Sequence, residues 1–179
     1  TNKVGFVAGL VGPAIIKVAE GYKLGVQAVN PNCDVYTAYT GSTEDVQKSK
    51  EAAQAMIDKG VDLIGGGGNA SNAGMIKACE EAGVYAFGEQ QNLAPETVIF
   101  CNMNNIENLV LQAVKDTIDR DFQGCIREYG IAADVAQLTE YNSHVPQEVK
   151  DKLAECMDQM RSGELDIPMI TEISDDIIH

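Results

Sequence analysis

The chain is poor in the residues that acid–base and nucleophilic chemistry need. Its 179 residues include two histidines and 13 lysines and arginines, against 27 aspartates and glutamates. A net charge of -14 and a pI near 4.4 repel phosphate backbones and anionic lipid surfaces, so nucleic acid and membrane surfaces are disfavoured as partners. No apolar run approaches the roughly 18 residues of a membrane span. No leader is visible, because Thr1-Asn-Lys runs straight into a strand pattern. The expectation is a mature or truncated product. The five cysteines are odd in number and form no C-x-x-C. That pattern predicts neither a disulfide framework nor a zinc site, and most of them read as small buried hydrophobes. Internal repeats and low-complexity segments are also missing.

Short strands and helices alternate along the chain. Lys3–Ala8, Asp34–Tyr39, Val61–Gly65, Val84–Gly88 and Thr97–Asn102 read as strands, and Gly130–Leu138 as a possible sixth. Helices are expected from Pro13 to Asn30, from the Ser42–Thr43 turn to about Lys59, and from near Ala73 to Ala82. Two more are expected at Ile106–Arg120 and Pro146–Arg161. Pro13 fits a first helical turn, and Gly60, Gly83 and Gly163 fit helix ends. The alternation predicts an α/β fold with a doubly wound, mainly parallel sheet. Residues 1–130 form the expected lobe, and residues 131–179 a crossover strand, a helix and an acidic tail.

Right-handed crossovers place every strand's carboxyl end on one edge. Five loops are expected to converge there: Leu10–Pro13, Gly41–Asp45, Gly65–Asn72, Glu89–Asn92 and Asn102–Asn105. They are rich in Gly, Asn, Gln, Ser and Thr, which hydrogen-bond a polar ligand without acid–base or nucleophilic chemistry. The Gly65–Gly68 run is the most prominent signal. It lacks the lysine of a P-loop and a clean G-x-G-x-x-G. It reads either as a turn touching a ligand, with Asn69 and Ser71 able to cap the next helix, or as a concession to close helix packing. Asp45 and Glu89 are the obvious carboxylates of this edge. Either they form an acid–base pair, or Asp45 serves the amino end of a helix. His144 reads as a local capping or surface residue. Tyr22, Tyr36 and Tyr39 read as packing, and Met56, Met75, Met157 and Met160 as core fillers.

Several stretches, taken in order, resemble the basic membrane protein family of substrate-binding lipoproteins. They are Lys3-Val-Gly-Phe-Val-Ala-Gly, Glu20-Gly-Tyr-Lys-Leu-Gly-Val-Gln-Ala-Val-Asn-Pro31, Tyr39-Thr-Gly-Ser42 with Asp45, and Gly60-Val-Asp-Leu-Ile64. Leu93-Ala-Pro95, Val145-Pro-Gln-Glu-Val-Lys150 and Ser162-Gly-Glu-Leu165 continue the match over nearly the whole chain. The resemblance implies a single, Rossmann-like lobe of a type I periplasmic-binding-protein fold. It implies binding of purine nucleosides or related ligands between two lobes for an ABC permease. It also implies a lipid-anchored, extracytoplasmic parent whose first lobe is not in this chain. In the family, the segment matching Ile131–Asn142 and the helix after it cross back toward that first lobe. A homodimer, with exchanged tails, is one way to cover the surface meant for it.

The expected ligand contacts are Gly12, Thr43, Gly67, Gly68, Asn69, Gln90, Asn92 and Asn104, with no metal and no cofactor. Three of them depart from the family pattern: Thr43 stands where an aromatic stacks on a base, Gln90 where an Asp holds ribose hydroxyls, and Asn104 where a Lys is common. The leading expectation is a non-enzymatic small-ligand-binding lobe of an ABC-importer solute-binding protein. The alternative is a half-length, homodimerising interaction or sensor module. An enzyme using Asp45 or Glu89 is a third reading, which lacks a visible base, nucleophile or phosphate-binding lysine.

Overall fold

A computed structural model describes residues 1–173 apart from 69, 90–93, 95 and 125, with the main chain alone at 89. The strands are β1 (Lys3–Ala8), β2 (Asp34–Tyr39), β3 (Leu63–Gly67), β4 (Tyr85–Glu89), β5 (Val98–Asn104) and β6 (Ala136–Leu138). The helices are α1 (Pro13–Val29), α2 (Val46–Asp58), α3 (Ser71–Ala82), α4 (Ile106–Ile118) and α5 (Gln147–Ser162). The strand order is β2-β1-β3-β4-β5-β6. β1 runs parallel to β2 and β3, and β3 parallel to β4, while β5 and β6 are antiparallel. The doubly wound, mainly parallel α/β fold expected from the sequence is therefore present.

The chain divides into two compact units, one of Thr1–Cys101 with the tail from Ile167, the other of Asn102–Asp166.

In the first unit, the chain leaves β1 toward β2 on one side and later proceeds from β3 to β4 on the other. With right-handed crossovers, that reversal puts α1 on one face and α2 and α3 on the opposite face. On the α1 face, Phe6 and Ala8 pack with Ala19, Tyr22 and Phe87. On the other face, Val7, Ile64 and Ala86 pack with Ala53 and Met56 of α2 and with Met75, Ile76 and Cys79 of α3. The Phe6, Tyr22 and Phe87 rings lie 5.1–6.3 Å apart, and Phe87 stacks on Phe100 at 5.6 Å and 6°. These are favourable aromatic separations.

The glycine run departs from the sequence expectation. Gly65, Gly66 and Gly67 are not a loop but the end of β3, paired with Phe6, Val7 and Ala8 of β1. A side chain at Gly65 would collide with the Phe87 ring, and one at Gly66 with Asn72 and Met75. The run is there because neighbouring groups occupy the space side chains would take. Gly74 likewise lets α3 approach α2, since a Cβ there would meet the Val46 carbonyl.

The second unit holds the end of β5, α4, β6 and α5. β6 is shorter than the expected Gly130–Leu138, because a 3-10 turn occupies Ile131–Ala133 and Asp134 turns the chain at φ 52°. Asn102–Asn104, expected as a loop edge, is strand paired with Ala136–Leu138. Met157 and Met160, expected as core fillers, line a cavity of about 190 Å³ together with Met103, Asn104, Leu138 and Leu153.

Two predictions follow from this packing. Gly74→Ala lowers unfolding stability by about 1–3 kcal/mol, because the clash is with main chain that cannot swing away; chemical denaturation followed by circular dichroism measures it. Cys79 is fully buried and its thiol is pushed up to about 12 by burial, so in native protein at pH 8 it resists iodoacetamide. Cys101, also buried, behaves alike, while the half-buried Cys33 and Cys156 are alkylated. Peptide mapping distinguishes them.

Candidate functional site

Where a sheet's connections change direction, the strand ends splay and leave a crevice at their carboxyl edge. Here that switch point lies between β1 and β3. Three segments meet around it in the first unit: 9–12 after β1, 40–45 after β2, and Gly68 with Ser71 after β3. Main-chain hydrogen bonds tie them together. Gly9 N–H donates to the Gly67 carbonyl at 3.1 Å, and Gly41 N–H to the Gly9 carbonyl at 3.1 Å. Thr40 N–H donates to Ala8 at 2.9 Å, and Ser71 N–H to Thr43 at 3.0 Å. The rim is thus a continuous main-chain network at the switch point.

The helices entering this edge start in three ways. α1 begins at Pro13 with Gly12 as its N-cap and no side-chain cap. α2 is capped by Asp45, whose carboxylate accepts from Lys48 N–H at 3.0 Å. The structural alternative for Asp45 is the one observed. Ser42 and Thr43 do not cap α2; Ser42 Oγ accepts from the N–H groups of Glu44 and Asp45 and shapes the preceding turn. α3 begins at Ser71, two residues before the expected Ala73, with Ala70 as an N-cap that offers no side chain. A side-chain cap from Ser71 is unnecessary, because the Thr43 and Gly68 carbonyls meet the N–H groups of Ser71 and Asn72.

The expected contacts fall into three groups. Gly12, Thr43, Gly67 and Gly68 lie on the rim, with Gly12 and Thr43 half-buried and Gly67 and Gly68 buried. The Gly12, Gly67 and Gly68 carbonyls accept bonds from Ile15 and Ile16, from Gly9, and from Asn72. The Thr43 hydroxyl is the side-chain polar group this set adds to the rim. Asn69, Gln90 and Asn92 lie outside the described residues. Asn104 is exposed at the end of β5 in the second unit. Sequence reasoning placed Gly41 in a loop of this edge but missed Gly9 and Thr40, whose main chain also closes the rim. The only signal of those two was a glycine or threonine directly after a strand.

In the first unit, the Tyr39 and Tyr22 hydroxyls, Ser49 Oγ and Asn72 Oδ1 are buried without a hydrogen-bond partner among the described residues. Burial, with Glu20 nearby, raises the Tyr39 hydroxyl above its ordinary value, so it stays a neutral phenol at pH 7. Among the described residues, no group of three or more His, Cys, Asp or Glu could hold a metal, and no helix is long and apolar enough to cross a membrane.

A doubly wound parallel α/β sheet with a main-chain-bonded rim at its switch point is of the fold class in which small ligands commonly bind at that edge. Within that class, the chain belongs to the family described as "Bmp: ABC transporter substrate-binding protein PnrA-like", whose model matches residues 1–171. It is 30% identical over 188 residues to the CD4+ T-cell-stimulating antigen of Listeria monocytogenes, covering 94% of this chain and 53% of that protein. It is 25% identical over 164 residues to a purine-binding protein of Brucella abortus, covering 90% of this chain and 46% of the relative. The chain thus spans about half the length of these relatives. An ABC transporter solute-binding protein from Conexibacter woesei superposes with a TM-score of 0.78 at 22% identity, covering 96% of this chain and 58% of that one. At that identity the match speaks for the fold alone. The resemblance to the basic membrane protein family is borne out.

Two substitutions test the rim's construction. Gly68 holds φ 153°, and a Cβ there would lie 2.8 Å from Ser71 Oγ. Gly68→Ala therefore destabilises the fold by about 1–3 kcal/mol. Asp45→Ala removes the α2 cap and costs about 1 kcal/mol. Thermal denaturation reads both, and an unchanged midpoint in either variant contradicts its assigned role.

Proposed function

We propose that this chain is a non-enzymatic lobe that binds a small polar ligand of the purine-nucleoside class, as part of an ABC-importer solute-binding protein. The observation that carries the reading is the main-chain-bonded rim at the switch point, in a chain of a substrate-binding family. The described rim offers hydroxyl and main-chain groups and no nucleophile–base pair, and Asp45, a candidate catalytic carboxylate, spends its charge on a helix cap. The similarity to a purine-binding relative supports the ligand class. In this reading Gly12, Thr43, Gly67 and Gly68, with Asn69, Gln90 and Asn92, contact the ligand, and Asn104 is a candidate contact in its own right. The parent protein lies outside the cytoplasmic membrane and delivers ligand to a permease.

One lobe buries only part of a ligand. Thr43 offers a hydroxyl but no ring to stack on a base. Affinity is accordingly expected near 1 mM, about -4 kcal/mol. A base stacked on an aromatic gains roughly 1–3 kcal/mol, so Thr43→Phe tightens purine-nucleoside binding by about 5- to 150-fold. Titration calorimetry of adenosine, guanosine and inosine against the chain and this variant tests it. Saturable binding that strengthens in the variant supports the reading. Two folded proteins that both fail to bind any nucleoside at millimolar concentration sink it.

A further inference from the structure

Helix starts at the carboxyl edge of a parallel sheet suit anions when their first N–H groups are free. On this rim those groups are largely engaged. In the first turn of α3, the N–H groups of Ser71, Asn72 and Ala73 donate to the Thr43, Gly68 and Ala70 carbonyls at 3.0, 3.2 and 3.2 Å. At α2, the Lys48 N–H goes to the Asp45 carboxylate at 3.0 Å and the Ser49 N–H to the Asp45 carbonyl at 3.2 Å. α1 opens with Pro13, which has no N–H, and the Ile15 and Ile16 N–H groups turn back to Gly12. Between β2 and α2, the Ser42 N–H donates to Thr40 Oγ1, and the Glu44 and Asp45 N–H groups donate to Ser42 Oγ. A phosphate arriving here finds these donors already bonded.

Charge acts in the same direction. Segments 9–12 and 40–45 and residues 68, 70 and 71 contain no lysine or arginine. They contain two carboxylates. Asp45 caps α2 and has Lys48 Nζ 3.8 Å from its Oδ2. Glu44 is exposed, and its carboxylate has no ion-pair or hydrogen-bond partner among the described residues. It stands next to Thr43, an expected ligand contact. Glu44 is thus the uncompensated charge of these segments, in a chain whose net charge of -14 has the same sign.

We propose that Glu44 makes the rim charge-selective, admitting neutral or cationic ligands and turning away phosphorylated ones. The selection deepens the ligand-binding reading and rests on it. A phosphate monoester carries a charge of about -2 at pH 7. Reversing one nearby charge on the rim therefore changes its binding roughly tenfold at low salt. A neutral ligand of the same shape serves as the internal reference.

NMR titration of the whole chain with adenosine, adenosine monophosphate and the cationic 5′-amino analogue of adenosine tests it. The expected order of affinity is amine, adenosine, monophosphate, with the monophosphate about tenfold or more weaker than adenosine. Glu44→Lys closes that gap by about tenfold while circular dichroism stays unchanged, and Glu44→Gln closes it in part. In the unaltered chain the gap also narrows as salt is raised from about 20 to 500 mM, because screening shortens the reach of an exposed charge. Glu51→Lys makes the same change in net charge farther along α2, where Glu51 bonds Gln47, and is expected to do less. A monophosphate that binds as tightly as adenosine overturns the charge selection and leaves the ligand-binding reading standing. A gap untouched by Glu44→Lys, or closed equally by Glu51→Lys, overturns the assignment to Glu44. A folded chain that binds none of the three overturns both readings together.

Discussion

Three successive positions without side chains at the end of β3 set the terms for the first unit. A strand in the middle of a parallel sheet normally presents branched apolar groups to both faces. Here Gly65, Gly66 and Gly67 present none, and the neighbours take up the space. The Phe87 ring lies over Gly65, Asn72 and Met75 close over Gly66, and Phe6 packs near Gly67. The aromatic cluster on the α1 face and the tight seating of α3 on the opposite face both depend on this strand being thin. The contact of α3 with α2 at Gly74 belongs to the same arrangement, because a helix drawn in toward β3 must also pass close to its neighbour.

That thin strand ends at the switch point, so packing and site are parts of one construction. The β3 main chain reaches the edge as Gly67, whose carbonyl receives the Gly9 N–H, and Gly9 in turn receives Gly41. Each N–H satisfied this way is one fewer unpaired donor at the rim. The helices starting there need few side-chain caps for the same reason. Asp45 caps α2 with its carboxylate, while α3 draws on neighbouring carbonyls. Family membership supplies the class of function, and the rim is the place proposed for it.

The alternation of elements, the parallel sheet and the helix ends at Gly60, Gly83 and Gly163 were legible in the sequence. They rest on local rules: hydrophobic period, turn chemistry, and the left-handed conformation that glycine adopts. Gly65–Gly68 was half legible. Four glycines announce either a turn or a crowded strand, and choosing between them requires knowing that Phe87, 22 residues later, lies over Gly65. The extent of β5 was missed for a related reason, because Asn102–Asn104 reads as a polar loop until Ala136–Leu138 is seen beside it. The rim was legible as polar residue types after strands. It was not legible as a bonded network, because main-chain hydrogen bonds leave no mark on residue identity.

That last property bears on how such a lobe diversifies. The rim's frame is written in peptide groups, which every residue type except proline supplies in full. Side chains at Leu10, Val11, Thr43 and Glu44 can be exchanged without removing one of the bonds that hold the frame. Side-chain identity and scaffold integrity are thus carried by separate parts of the same residues. A lineage can vary the side chains along this edge while the main-chain frame stays in place.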